Sequence, residues 1–136
     1  MRNAQDSREE ASAPYAQLIE AALAGALQYE LLSKLADGTG QSAPDLLNAF
    51  AVHIAQRYSD GGISFNDADS AMNAAFGVSC SQEFWAEHDR TIPATMFEVY
   101  LAFDAGEYFH PGDAPDVDPE AKYTRPMLKE LFMRSS

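Results

Sequence analysis

The chain is poor in cysteine, in histidine and, through its middle, in positive charge. One cysteine, Cys80, stands alone, so no internal disulfide can form and nothing demands an oxidising compartment. The three histidines, His53, His88 and His110, lie far apart in sequence, which leaves little material for a histidine-rich metal site. No apolar run is long enough to cross a bilayer: the longest, Ala21 to Leu27, is short and contains Gly25. The first ten residues hold Asp6, Glu9 and Glu10 and have neither the basic start nor the apolar stretch of a secretion signal, so the expected location is the cytoplasm. Phosphate-cradling loops are missing too, since Gly38-Thr-Gly40 and Gly61-Gly62 match neither the dinucleotide nor the P-loop pattern.

What is present is apolar material and negative charge. With 136 residues, 46% of them apolar and 11% aromatic, the chain can bury a core of its own, which predicts one globular domain. The formal net charge is -12. Between Arg57 and Lys122 the only base is Arg90, against thirteen acids: Asp60, Asp67, Asp69, Glu83, Glu87, Asp89, Glu98, Asp104, Glu107, Asp113, Asp116, Asp118 and Glu120. That interval carries the whole net charge, and the two ends balance to zero. Solvated faces explain single carboxylates, but a sustained excess works against compactness, and mixed charges would serve solubility as well. A surface of this sign is a poor match for nucleic acid or an anionic membrane and a good match for a cationic protein.

The hydrophobic spacing is helical throughout. The polar residues 1–12 read as a disordered lead-in, and 13–136 as a single α-helical domain. Leu18, Ile19, Ala22, Leu23, Ala26, Leu27, Leu31, Leu32 and Leu35 recur at three- and four-residue steps, predicting one helix over Tyr15–Ala36, opened near Pro14 and stopped by Asp37-Gly38-Thr39-Gly40. A second helix starts at Ser42–Pro44 and carries Leu46, Leu47, Phe50, Ile54 and Tyr58. Ser64 with Asp67 resembles a capping box that opens a third, Phe65–Phe76. Gly77 to Asp89 admits a short helix around Phe84-Trp85. Pro93 opens a fourth, with Met96, Phe97, Tyr100 and Leu101, closed by Gly106. Glu107 to Pro119, with Pro111, Gly112, Pro115 and Pro119, reads as an ordered acidic loop. Thr124 is expected to cap a last helix with Leu128, Leu131 and Phe132 inward. The predicted fold is all-α, a helical bundle of four to five helices with an acidic Pro/Gly-containing loop before the last one.

Catalytic signals are weak. Glu107-Tyr-Phe-His110 has the Glu-x-x-His spacing of di-iron bundles, but the second copy that such a site needs is missing, and Gly106 and Pro111 flank it with helix breakers. Glu87-His88-Asp89 points three polar groups in different directions on a helix. Cys80 would need a base such as His88 beside it to act as a nucleophile, and a buried or idle thiol is the plainer reading. No enzyme, metal or cofactor is expected. Trp85, Tyr108, Phe109 and Tyr123 lie in or beside polar sequence and are either core plugs or interface anchors.

The stretch Phe97-Glu-Val-Tyr-Leu-Ala-Phe-Asp-Ala-Gly-Glu-Tyr-Phe-His-Pro-Gly-Asp113, then Asp116 to Glu120, then Thr124-Arg-Pro-Met-Leu-Lys-Glu-Leu-Phe132, resembles the C-terminal half of colicin D-type immunity proteins, including those of contact-dependent growth inhibition. Gly62-Ile-Ser-Phe-Asn-Asp-Ala-Asp69 is similar to the turn and helix start that precede it in that family. The resemblance spans about Leu46 to Phe132; the helix Tyr15–Ala36 and the Gly77–Ile92 insert depart from it. It implies a helical antitoxin that covers the basic active cleft of a toxin nuclease, a transfer-RNA-cleaving one in the colicin D case. The charge pattern reaches a compatible answer independently, since a nuclease presents Lys and Arg to phosphate and an acidic surface can occupy that cleft. The expected contact carboxylates are Asp104, Glu107, Asp113, Asp116, Asp118 and Glu120, with Tyr108 and Phe109 as aromatic anchors. The expected partner is the toxin domain, with no direct nucleic acid and no membrane. The alternative is an acidic nucleic-acid mimic of the anti-restriction or anti-CRISPR kind, told apart by the neighbouring gene.

Overall fold

A computed structural model describes residues 4–135, with side chains from Ala13 to Arg134. Among the described residues the chain is all helix, without strands. The elements are α1 (Ala4–Leu23), α2 (Tyr29–Thr39), α3 (Ala43–Ser59), α4 (Phe65–Ser79), α5 (Gln82–Glu87), α6 (Ala94–Ala105) and α7 (Arg125–Ser135), the last entered through a π-helical turn, Glu120–Thr124. Among the described residues no helix is long and apolar enough to cross a membrane.

Seven helices appear where the spacing predicts four to five. One reason is that the apolar stripe from Tyr15 to Ala36 is divided. α1 ends at Leu23, Gly25 adopts φ +69°, and α2 starts afresh at Tyr29. Glycine takes that left-handed conformation without steric cost, so the chain can turn there and lay both halves of the stripe on the core. The other reason is α5, which is real but short. α1 also runs from Ala4, upstream of Pro14, which sits inside the helix rather than at its first turn. Residues 4–12 of the expected lead-in thus have helical backbone, and residues 1–3 lie outside the described residues.

Serines start three of the helices as N-caps. Ser42 Oγ accepts from the Asp45 amide, Ser64 Oγ from that of Asp67 and Ser81 Oγ from that of Phe84, at 3.2, 3.1 and 3.2 Å. Each satisfies one of the first-turn donors that a helix leaves over.

α6 lies between α3 and α4 at the centre of the bundle; α1 covers α4, α2 covers α3, and α7 closes over α6. Small residues let the central helices approach: Ala51 and Ala55 on α3 and Ala68, Ala71 and Ala75 on α4 are all fully buried. Phe50, Phe84, Phe103, Leu46, Leu47, Ile54, Met72 and Met96 fill the space between them. Where α3, α4 and α6 meet, Tyr58, Phe65 and Phe103 pack as a three-ring cluster with centroids 5.2 to 6.2 Å apart.

The last helix does not begin as the sequence predicts. Thr124 is buried in the π turn rather than capping it, and its hydroxyl donates to the Ala102 carbonyl of α6 at 2.6 Å. Just ahead of the turn, whose N-cap is Pro119, Asp118 Oδ1 accepts from the Glu120 amide at 3.0 Å. Gly106 leaves room for this. A Cβ at that position would lie 2.0 Å from Thr124 Oγ1 and 3.2 Å from the Phe65 ring. The glycine that ends α6 is therefore also the surface on which the final helix is seated.

Candidate functional site

α4 and α6 run antiparallel, with the Phe76 ring stacked on Tyr100 at 4.3 Å and on Phe97 at 5.7 Å. One turn back along α4 on the same stripe stands Asn73, and two turns back Asp69; one turn on along α6 stands Asp104, followed past Gly106 by Glu107. The pairing of the two helices thus brings three carboxyl groups to one end of the bundle. Asp69 and Asp104 each lie close enough to Glu107 to feel its carboxyl. Burial, then the adjacent Glu107 carboxyl and the charge of Asp104, push the Asp69 carboxyl up to about 7; Asn73 pulls weakly the other way. Burial and Glu107 likewise raise Asp104, against a small opposing effect of His110. Three carboxyls in one partly desolvated place resist simultaneous ionisation, so the group retains a proton near neutrality that a partner's cation can replace.

Beside this trio the surface is aromatic. Tyr108 is 65% exposed and Phe109 59% exposed, at consecutive positions just past the end of α6. The charge of the neighbouring Glu107 is the main cause of a raised Tyr108 phenol pKa.

The rest of the acidic loop is occupied in holding its own shape. The Asp113 carboxylate, 2% exposed, accepts from the His110 amide at 2.8 Å, from the Tyr123 hydroxyl at 2.7 and 2.8 Å, and from the Lys122 ammonium. These donors, Lys122 first, hold it down to about 2. The His110 ring packs on Tyr123 with centroids 3.8 Å apart, and its Nε2 lies 2.9 Å from the Ala105 carbonyl oxygen. Glu120 accepts from Tyr58 at 2.6 Å, a bond that ties the π turn to α3.

The eight expected contact residues therefore fall into two groups. Asp104, Glu107, Tyr108 and Phe109 form one edge. Asp113, Asp118 and Glu120 are turned to internal bonds, while Asp116 is exposed and stands apart from both sets of contacts. Asp69 is the residue that sequence reasoning leaves out of the site. Its signal is a carboxylate one turn from both Phe65 and Met72, at the margin of the apolar face of α4.

The other candidates are dispersed. His53 stacks on Tyr15 at 4.6 Å, and burial, more than the nearby Arg57, lowers its pKa. His88 meets the Tyr29 hydroxyl at 3.1 Å and packs on Phe84. Glu107 faces the other carboxyls while His110 packs on Tyr123, so the Glu-x-x-His pair does not converge. Among the described residues no group of three or more His, Cys, Asp or Glu side chains is placed to hold a metal ion. Cys80 ends α4 and is exposed, not buried. Of the four aromatic residues left open as plugs or anchors, Tyr123 is half-buried, bonded to Asp113 and packed on His110, Trp85 is 37% exposed, and Tyr108 and Phe109 are outward. Compared with known protein families, with curated proteins and with solved structures, the chain matches none.

Proposed function

We propose that this protein is a binding module for a cationic protein surface, and that its partner is a toxin nuclease whose basic active cleft it occludes in the cytoplasm. The observation that carries the reading is the edge at the end of α6: two adjacent aromatic side chains, 65% and 59% exposed, beside three clustered carboxyls. Large aromatic groups left in water mark binding surfaces, and Tyr is among the residues that anchor interfaces. The carboxyls beside them set the sign of the partner, which must present Arg or Lys. The internal bonds of Asp113 support the same reading, because a pinned loop loses little conformational entropy on binding. The nuclease and the antitoxin role rest on the resemblance of Phe97 to Phe132 to colicin D-type immunity proteins.

The test is co-expression with the product of the adjacent open reading frame, followed by co-purification and a neutralisation assay. The variants are Tyr108→Ala with Phe109→Ala, and separately Glu107→Lys. Each is expected to weaken the complex by about 2 kcal/mol, roughly thirtyfold. Folded variants that bind and neutralise like the unmodified protein would place the contact surface elsewhere. A neighbouring product that neither binds nor is neutralised would remove the antitoxin reading.

A further inference from the structure

A second surface shares no residue with that edge and does not depend on the reading above. Between the C-terminal end of α3 and the outer face of α7 runs a groove of about 540 Å³, lined by Tyr58, Ser59, Gly61, Arg125, Lys129 and Phe132. That volume is within the range of small-molecule sites. Arg125, Lys129 and Phe132 are four and three residues apart, which sets two cations and an aromatic ring in line on one stripe of α7. Opposite them, Tyr58 donates its hydroxyl proton to Glu120 and receives only a long contact, 3.4 Å, from Arg125 Nε.

The two groove cations differ from other bases in how little of the described protein they engage. Lys122 pairs with Asp113, Arg134 pairs with Glu98, and Arg57 donates to the Gly62 carbonyl. The terminal guanidinium nitrogens of Arg125 and the ammonium of Lys129, by contrast, have no acceptor among the described residues. Nor do they cap α3: the carbonyls of Gln56, Arg57 and Tyr58 already accept from the amides of Asp60, Gly62 and Gly61. In a chain of net charge -12, two cations without an ion pair among the described residues, beside an apolar wall, are an unusual local surplus.

We infer that this groove binds a monocarboxylate with an apolar body, its carboxylate on Arg125 and Lys129 and its hydrocarbon or aromatic part against Phe132 and Tyr58. The guanidinium fork and the neighbouring ammonium match the two oxygens of a carboxylate. Polyanions are disfavoured, because Glu120 and Asp118 lie close enough to act on Arg125 and the whole molecule repels them. A single negative charge meets the cations with the least of that repulsion, and the apolar wall supplies the rest of the affinity.

The experiment is a two-dimensional amide NMR titration of the full chain with 4-phenylbutyrate, and in parallel with 4-phenylbutyramide, which keeps the body and removes the charge. Saturable shifts are expected at Ser59, Gly61, Arg125, Lys129 and Phe132, with a Kd on the order of 1 mM for a fragment of that size. The amide should bind about tenfold or more weakly, and Arg125→Gln and Lys129→Gln should each lose about tenfold for the acid alone. Both substitutions are at exposed positions, and an unchanged spectrum away from the groove shows that the variant is folded. Equal affinity for acid and amide, shifts that do not saturate or that map elsewhere, or a double variant that binds the acid undiminished would each overturn the assignment.

Discussion

Two aspartates of the same chain respond to protons in opposite ways, and the difference lies in what each one touches. Asp113 is surrounded by donors and is held down to about 2. Asp69 is partly buried beside two other carboxyls and is pushed up to about 7. In the unfolded chain both titrate near about 4. The native state therefore binds fewer protons than the unfolded state at Asp113 between about pH 2 and 4, so stability rises with pH there. At Asp69 it binds more between about pH 4 and 7, so stability falls as pH rises through that window. Denaturant midpoints across pH should peak between about 4 and 5 and decline toward 8. Asp69→Asn keeps a donor for Glu107 without needing a proton. It should flatten the decline and stabilise the protein by about 1–2 kcal/mol at pH 8, a figure discounted for the water that reaches the site. A variant that keeps the full decline would show that the trio does not hold the shared proton.

At the scale of elements, the decisive contact is the seat of α7 on α6. The π turn delivers Thr124 into the space that Gly106 leaves, and the Thr124 hydroxyl satisfies a carbonyl of the neighbouring helix. Gly106→Ala puts a methyl 2.0 Å from Thr124 Oγ1, so the final helix must shift or the hydrogen bond must break. Overpacking of this kind costs about 1–3 kcal/mol. Gly106→Ala is expected to destabilise by about that amount, and much of the cost should be absent when Thr124 is already Ala. A double-mutant cycle with no coupling would show that the two residues do not meet. The division of α1 from α2 uses a glycine differently: at Gly25 a Cβ would meet nothing within 4 Å, and the residue is needed for its φ of +69°.

Over the whole molecule, each sign of charge has a local concentration. The Asp69, Asp104 and Glu107 carboxyls gather at the end of α6, and Arg125, Lys129 and Arg134 lie along α7. A cationic partner that docks on the carboxyl trio must displace its proton, so affinity should rise as pH increases from about 6 to 8. Added salt should chiefly slow association, because screening weakens steering more than close contact. The Asp69→Asn variant should lose the pH dependence and keep the salt dependence. Calorimetry in buffers of different ionisation enthalpy measures the released proton directly, and binding without proton release near pH 7 would separate the trio from the interface.

The sequence by itself determined that the chain is helical, where most helices begin and which faces are apolar, because spacing at 3.6 residues and serine caps are local properties. The Ser42 and Ser64 starts, the end of α6 at Gly106 and the acidic loop are all legible in it. It also located the surplus of negative charge and singled out Asp104, Glu107, Tyr108 and Phe109. Only the tertiary structure decided that Asp69 joins them, since 35 residues separate Asp69 from Asp104 and the antiparallel packing of α4 on α6 closes that distance. It likewise decided that Asp113 and Glu120 face inward. Whether a carboxylate meets solvent, a partner or a lysine of its own chain is set by the three-dimensional arrangement of donors, and a count of charges along the chain carries no information about that arrangement.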